Sequence, residues 1–273
     1  MLKKLSLIAL GLCANTLIVL PAPAQSTPEV TLRRFDCGAG AAPMDVARWS
    51  DTFAYPGVKL SFAYSCYLVK HGDEYLVWDT GYAPGSNPNA PKTSLADQLA
   101  QLKLAPDQIK YVGISHYHPD HTGQVSLFAK STLLIGKGDW EAITAPKPAP
   151  GVNFAPFANW MSGAGKMEIV PMDKDVFGDG TVVMLGTSGH TPGHHSLLVK
   201  LKGKGAVVLT GDAVHFHENY DSNGVPSFNT DRAATLASLD RIKKIAANLK
   251  AVVIIAHDPR DIDKLPAFPA AAD

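Results

Sequence analysis

Ser115-His-Tyr-His-Pro-Asp-His121-Thr-Gly123 follows directly on the apolar run Tyr111–Ile114 and sets four metal-ligand side chains, His116, His118, Asp120 and His121, within six residues. In extended backbone, residues two apart point to the same side, so His116 and His118 can grip one cation. Asp120 and His121 lie beyond the bend that Pro119 imposes and address a second. Imidazole and carboxylate without thiolate suit zinc, and iron, manganese and cobalt are compatible with the same donors. A polar turn that merely happens to be rich in histidine accounts for one such residue, not for four at this spacing.

Further ligand types stand at the ends of other apolar runs. His190 lies in Thr187-Ser-Gly-His-Thr-Pro-Gly-His-His195, after the run Thr181–Leu185; Asp212 follows Ala206–Leu209, and His257 follows Val252–Ile255. Alone, each reads as a cap or turn former. Together they complete a set in which His116, His118 and His190 hold one metal, Asp120, His121 and His257 hold the other, and Asp212 bridges. Two divalent ions clamped in this way bind a bridging hydroxide at neutral pH.

Around these residues the chain is built from short β-rich runs: Val30–Phe35, Leu60–Val69, Tyr75–Trp78, Tyr111–Ile114, Thr132–Ile135, Thr181–Leu185, Ser196–Leu201, Ala206–Leu209 and Val252–Ile255. Helical periodicity appears over Ser94–Leu104 and, more strongly, over Asp231–Leu249, where Leu236, Leu239, Ile242, Ile245 and Leu249 share a face. Strands in both halves with helices between them give an α/β or α+β class with mixed sheets. Glu74–Gly81 and Gly205–Asp212 are each an apolar strand ending in an acid beside glycine, as two similar half-domains would produce.

Composition narrows the function. The 273 residues are 46% hydrophobic, which supplies a core, and 25 basic residues balance 25 acidic ones, so no basic excess exists to drive nucleic-acid binding. Lys3 and Lys4, the apolar stretch Leu5–Leu20 and Ala22-Pro23-Ala24 read as a cleavable export signal, with cleavage after Ala24. The expected product is a single hydrolase domain over 25–273, periplasmic or secreted, with no stable membrane anchor. Cys37 and Cys66 then reach an oxidising compartment, where they either pair or pack as small buried hydrophobes.

With Asp79-Thr-Gly, His-x-His-x-Asp-His at 116–121, His190, Asp212 and His257 in order, the chain resembles the metallo-β-lactamase superfamily over roughly residues 30–260. The resemblance implies an αβ/βα four-layer sandwich with metals at the sheet edges, and it makes Asp79 a structural acid near the site. Within the superfamily, Cys66-Tyr-Leu-Val, Gly189-His-Thr-Pro-Gly-His-His-Ser-Leu-Leu-Val199, Leu209-Thr-Gly-Asp212 and Ile255-Ala-His-Asp258 are most similar to the N-acyl homoserine lactone lactonases.

What this implies is opening of a small-molecule lactone by the bridging hydroxide, with Asp120 returning a proton to the leaving alkoxide. Those lactonases place tyrosine three residues after the bridging aspartate, where this chain has His215. The resemblance passes that tyrosine's task, hydrogen-bond donation to the substrate carbonyl or its oxyanion, to His215; the competing reading makes His215, like His217, a polar loop residue. An exported β-lactamase, a glyoxalase-II-like thioesterase, a phosphotriesterase or arylesterase of the same fold, and a non-catalytic metal-binding scaffold are the alternatives. Residues 144–166 are long, aperiodic and apolar, so Phe154, Phe157, Trp160 and Met161, with Trp49 and Phe53, are expected to line the acyl pocket.

Overall fold

Along His195–Leu201, side chains alternate between two buried clusters: Leu197, Val199 and Leu201 enter one, and Leu198 enters the other. A strand buried on both faces lies between covering layers. The computed structural model describes residues 28–148 and 151–273; the export signal expected over 1–24 lies outside them.

The N-terminal half carries β1 (Val30–Ala39), β2 (Met44–Asp45), β3 (Lys59–Leu60), β4 (Ala63–His71), β5 (Glu74–Trp78), β6 (Tyr111–Gly113), β7 (Thr132–Gly136) and β8 (Met167–Val170). The C-terminal half carries β9 (Lys174–Asp175), β10 (Val182–Gly186), β11 (His195–Leu201), β12 (Gly205–Leu209) and β13 (Val252–Ile254). The first sheet runs β1-β4-β5-β6-β7-β8, the second β13-β12-β11-β10-β9, and β2 pairs with β3 as a separate ribbon.

The sheets meet through Leu32, Val69, Leu76 and Leu134 on one side and Val182, Leu197, Val199 and Val207 on the other. Leu95 and Leu99 of helix Leu95–Gln101 and Ile143 of helix Lys137–Thr144 cover the outer face of the first sheet. Ile242 of helix Arg232–Leu249 covers Leu198 and Val208 of the second. Helix, sheet, sheet, helix is the four-layer order that the resemblance implies.

Local chemistry starts the helices where the periodicity does. Ser94 accepts from Asp97 N while Asp97 reaches back to Ser94 N, a reciprocal capping box. Asp231 accepts from Ala234 N and opens the long helix. Each of the nine expected strand runs is a strand, with 60–69 divided between β3 and β4. Sequence periodicity missed the two-residue β2 and β9, too short to alternate visibly, the half-exposed β8, and helices Lys137–Thr144 and His217–Ser222.

β5 is antiparallel to β4 and parallel to β6, and β12 is antiparallel to β11 and parallel to β13. The half-domain similarity seen in sequence is this equivalence. Because β5 and β6 point the same way, Asp79 and the segment 115–121 leave the sheet at one edge, and Asp212 and His257 do the same after β12 and β13.

Cys37 and Cys66, on the paired strands β1 and β4, form a disulfide with Cα atoms 5.9 Å apart. It lies directly against Gly81, where φ is +59° and an added Cβ would come within 2.5 Å of Cys37 Cβ. Only glycine fits both the left-handed backbone and this close approach.

Candidate metal centre

The four loops at these strand ends bring all seven expected ligands together in two groups that share Asp212. His116, His118, His190 and Asp212 form one, and Asp120, His121, Asp212 and His257 the other, with donor atoms in each lying within 4.8 Å of one another. In the first, His118 Nδ1 is 2.9 Å from His116 Nε2 and 3.0 Å from His190 Nε2. In the second, His121 Nε2 and His257 Nε2 are 3.4 Å apart, and Asp120 Oδ2 is 3.7 and 3.5 Å from them. Asp212 turns Oδ2 to the first group, 3.4 Å from His190 Nε2, and Oδ1 to the second, 3.2 and 3.0 Å from His121 and His257 Nε2.

Outer hydrogen bonds fix what the rings present inward. His257 Nδ1 donates to Ala63 O at 2.9 Å and His121 Nδ1 donates to Asp79 Oδ2 at 2.9 Å, both partners being acceptors only. His190 Nδ1 donates to Asn229 Oδ1 at 2.8 Å. Each of these rings therefore turns Nε2 toward a carboxylate, as a lone pair once the ring is neutral. Lone pairs and carboxylate oxygens facing one another repel unless cations lie between them. Asp212 Oδ1, buried and accepting no hydrogen bond, is left for the same purpose. The residues fit two divalent ions, and the set of imidazole and carboxylate donors fits zinc.

The electrostatics agree. Burial pushes His121 down, yet Asp212, Asp79 and Asp120 together hold it well above the usual imidazole range. Burial and then the charge of His121 hold His116 well below that range, so it is neutral. Burial opposes ionisation of Asp212, and the surrounding histidines, His257 and His121 foremost, nevertheless keep it well below the carboxylate range. Negative charge is concentrated where cations would sit.

The segment Asp79–Gly81 anchors the ligand loop at several points. Asp79 Oδ1 accepts from Ser115 N at 2.7 Å, Thr80 N donates to His121 O at 2.7 Å, and Gly123 N donates to Gly81 O at 2.7 Å. The disulfide against Gly81 thus braces the loop that holds His121.

Two supporting residues escaped the sequence reading. His194 Nδ1 donates to Thr187 O at 3.0 Å, so its Nε2 is an acceptor, and it takes Asp212 N–H at 2.9 Å. Asp139 is fully buried; Oδ1 accepts from Gly193 N at 2.7 Å, and Oδ2 from Tyr117 N at 3.1 Å and Thr191 Oγ1 at 2.9 Å. It ties the backbone between His116 and His118 to the loop carrying His190. His194 had a sequence signal in its place within the His190 loop, whereas an acid on an amphipathic helix such as Asp139 had none.

Asp139→Asn should weaken metal binding about tenfold in a chelator competition, since the amide turns N–H toward N–H. Burial pushes the Asp139 carboxyl up to about 7, above its unfolded value of about 4. Its stabilising contribution is then full below about pH 4 and is lost as pH rises through 7. The melting-temperature gap between wild type and Asp139→Asn should accordingly narrow from pH 6 to pH 8.5.

A cavity of about 400 Å³ opens over the two groups, within the range of small-molecule sites. His215 lines it, with Nε2 3.3 Å from Asp212 Oδ2, and belongs to neither four-donor group. Its apolar wall is Met44, Trp49, Phe62 and Phe228, joined by Tyr64, whose hydroxyl is pushed up to about 12 by burial and the charges of Asp120 and Asp212.

The pocket expected from 144–166 is not there. Phe157 and Trp160 are fully buried core, packed with Phe128, Val125 and Ile143, and Trp160 Nε1 donates to Lys166 O at 3.0 Å. Phe154 and Met161 face solvent, as does Phe53; of the six aromatic and methionine residues expected, Trp49 alone lines the cavity. An added Cβ at Gly151 would come within 3.0 Å of His118, so the segment touches the site by backbone rather than by its aromatics.

A family model for the metallo-beta-lactamase superfamily matches residues 62–257. The chain is 31% identical over 181 residues to the N-acyl homoserine lactonase AttM of Rhizobium radiobacter, a match that covers 63% of this chain and 68% of the relative. It is 28% identical over 237 residues to an N-acyl homoserine lactonase of a Bacillus species, covering 81% and 90%. A crystal structure of a quorum-quenching N-acyl homoserine lactone lactonase superposes with a TM-score of 0.74 at 26% identity, covering 90% of this chain and 99% of that one.

Proposed function

The chain belongs to the metallo-β-lactamase superfamily, and on that footing we propose that this hydrolase opens lactone rings, those of N-acyl homoserine lactones foremost, in a periplasmic or secreted setting. The observation that carries the reading is Asp212, one carboxylate oxygen turned to each of two histidine groups beneath an open cavity with an apolar wall. His116, His118 and His190 would hold one metal, Asp120, His121 and His257 the other, with Asp212 shared. The bound pair supplies Lewis acidity and a water activated at neutral pH.

The remaining work falls to this chain's own side chains. His215 Nε2–H, facing the cavity, donates to the lactone carbonyl oxygen as negative charge grows there. Asp120, on the turn Pro119–Thr122, takes up the proton that the attacking water loses and returns it to the ring oxygen as the C–O bond breaks. Met44, Trp49, Phe62 and Phe228 receive the acyl substituent and keep bulk water from it. The Cys37–Cys66 bond supports an oxidising compartment, in keeping with the export signal read over residues 1–24.

A substrate panel tests the proposal. Zinc-loaded protein given acyl homoserine lactones, nitrocefin, S-lactoylglutathione and paraoxon should open the lactones, releasing one acid per ring, at a kcat/KM well above that for the other three. Lactones that survive while a cephalosporin or phosphotriester is cleaved would reassign the site.

A further inference from the structure

Among the described residues lining the cavity, Arg48 is the one arginine or lysine. Its guanidinium carbon lies 4.6 Å from the Phe228 ring centroid and 5.3 Å from that of Trp49. Those two rings are in turn 6.0 and 6.2 Å from the ring of His215. The cation therefore stands one aromatic layer outward from the reacting groups, along the wall that receives the acyl substituent.

An exposed arginine is ordinarily mobile, and this one is held. Arg48 O accepts from Ser227 N at 2.9 Å and Ser227 Oγ at 3.1 Å, which ties its backbone to the residue preceding Phe228. Asn219 Nδ2 donates to Trp49 O at 2.9 Å and pins the same turn. Yet among the described residues the guanidinium has no hydrogen-bond or ion-pair partner; Asp45, the nearest cavity acid in sequence, accepts instead from Ala47 N at 2.8 Å. With the aromatic rings holding it, its N–H donors stay available.

We propose that Arg48 is a specificity determinant that selects lactones whose acyl substituent carries a second oxygen acceptor, a carbonyl or a carboxylate, beyond the amide. A plain alkyl substituent gains burial on the wall but offers nothing to the guanidinium. An oxygen placed there gains a charge-assisted hydrogen bond. This inference rests on the lactonase reading and adds the substrate subclass.

The test compares N-octanoyl and N-(3-oxooctanoyl) homoserine lactone, matched in length and differing by one carbonyl, on wild type and on Arg48→Met, which keeps an unbranched chain over the rings. Wild type should prefer the 3-oxo compound by roughly fivefold to tenfold in kcat/KM, chiefly through KM. Arg48→Met should bring the ratio close to one, and Arg48→Lys should restore part of it. A carboxylate-terminated acyl lactone separates the two sources of acceptor: a preference for it that Arg48→Met abolishes and salt weakens marks the guanidinium as a charge reader.

A wild-type ratio near one, or a ratio unchanged in Arg48→Met with an unchanged melting temperature, overturns the proposal. Should Arg48→Met melt lower, the decision passes to Arg48→Lys and Arg48→Gln at the same readout. Wild type that opens neither lactone overturns the lactonase reading itself, which is a different failure from a ratio that ignores Arg48.

Discussion

Asp212→Ala should take the purified protein from two metal equivalents to one or fewer and lower lactone hydrolysis by roughly 10³-fold or more. The size of the effect follows from geometry. Both histidine groups close on this one carboxylate, with ring nitrogens 3.0 to 3.4 Å from its two oxygens in His257, His121 and His190. Alanine leaves each group with three donors and removes the negative charge that would offset two neighbouring cations. Asp212→Asn keeps the volume and one carbonyl oxygen but turns an N–H₂ toward one group, so one metal should be lost selectively. Elemental analysis with a parallel rate measurement reads both variants. Two tightly held metals in Asp212→Ala would show that the carboxylate does not bridge.

His215→Ala should lose 10²- to 10³-fold in kcat, on the order expected for one donor aimed at developing charge, while retaining both metals. The ring is buried between Trp49 and Phe228, stacks at 16° on His257, and leaves Nδ1 without a hydrogen bond. Lining the cavity with Nε2 beside Asp212, His215 is the residue to which the proposed lactone opening assigns that donor. His217, two residues on, differs in kind: its Nε2 pairs with Asp261 Oδ1 at 2.7 Å, away from the cavity, and His217→Ala should lose little. Loss of a metal from His215→Ala at unchanged fold would make His215 a ligand, and full activity would make it inert.

How much of this was legible in the sequence depended on whether a feature is local. The ligand set was legible because each member ends an apolar run, and strand ends at one sheet edge converge without any side chain having to be followed through space. Helices 95–101 and 232–249 were legible because Ser94 and Asp231 cap them and their apolar faces repeat. The substrate wall was not. Met44, Arg48 and Trp49 lie on a two-residue strand and a short turn with no periodicity, and long-range bonds, those of the β2–β3 ribbon and those from Ser227 and Asn219, bring them over the ligand groups.

The 144–166 expectation failed because an apolar loop covers a core as readily as it lines a pocket; Phe157 and Trp160 seal the first sheet beside Phe128. Cys37 and Cys66 could not be paired from sequence, since bonding depends on the β1–β4 register. The second histidine of the His190 loop was visible, but its bond to Asp212 N–H is a long-range contact.

The central claim is that a lactone ring opens at a centre needing two metals. Zinc titrated into metal-free protein, with N-acyl homoserine lactone opening followed by acid release, tests it most directly. Activity should rise with added metal, saturate at two equivalents and release one acid per ring. Saturation at one equivalent, or a lactone left intact at two, would contradict it.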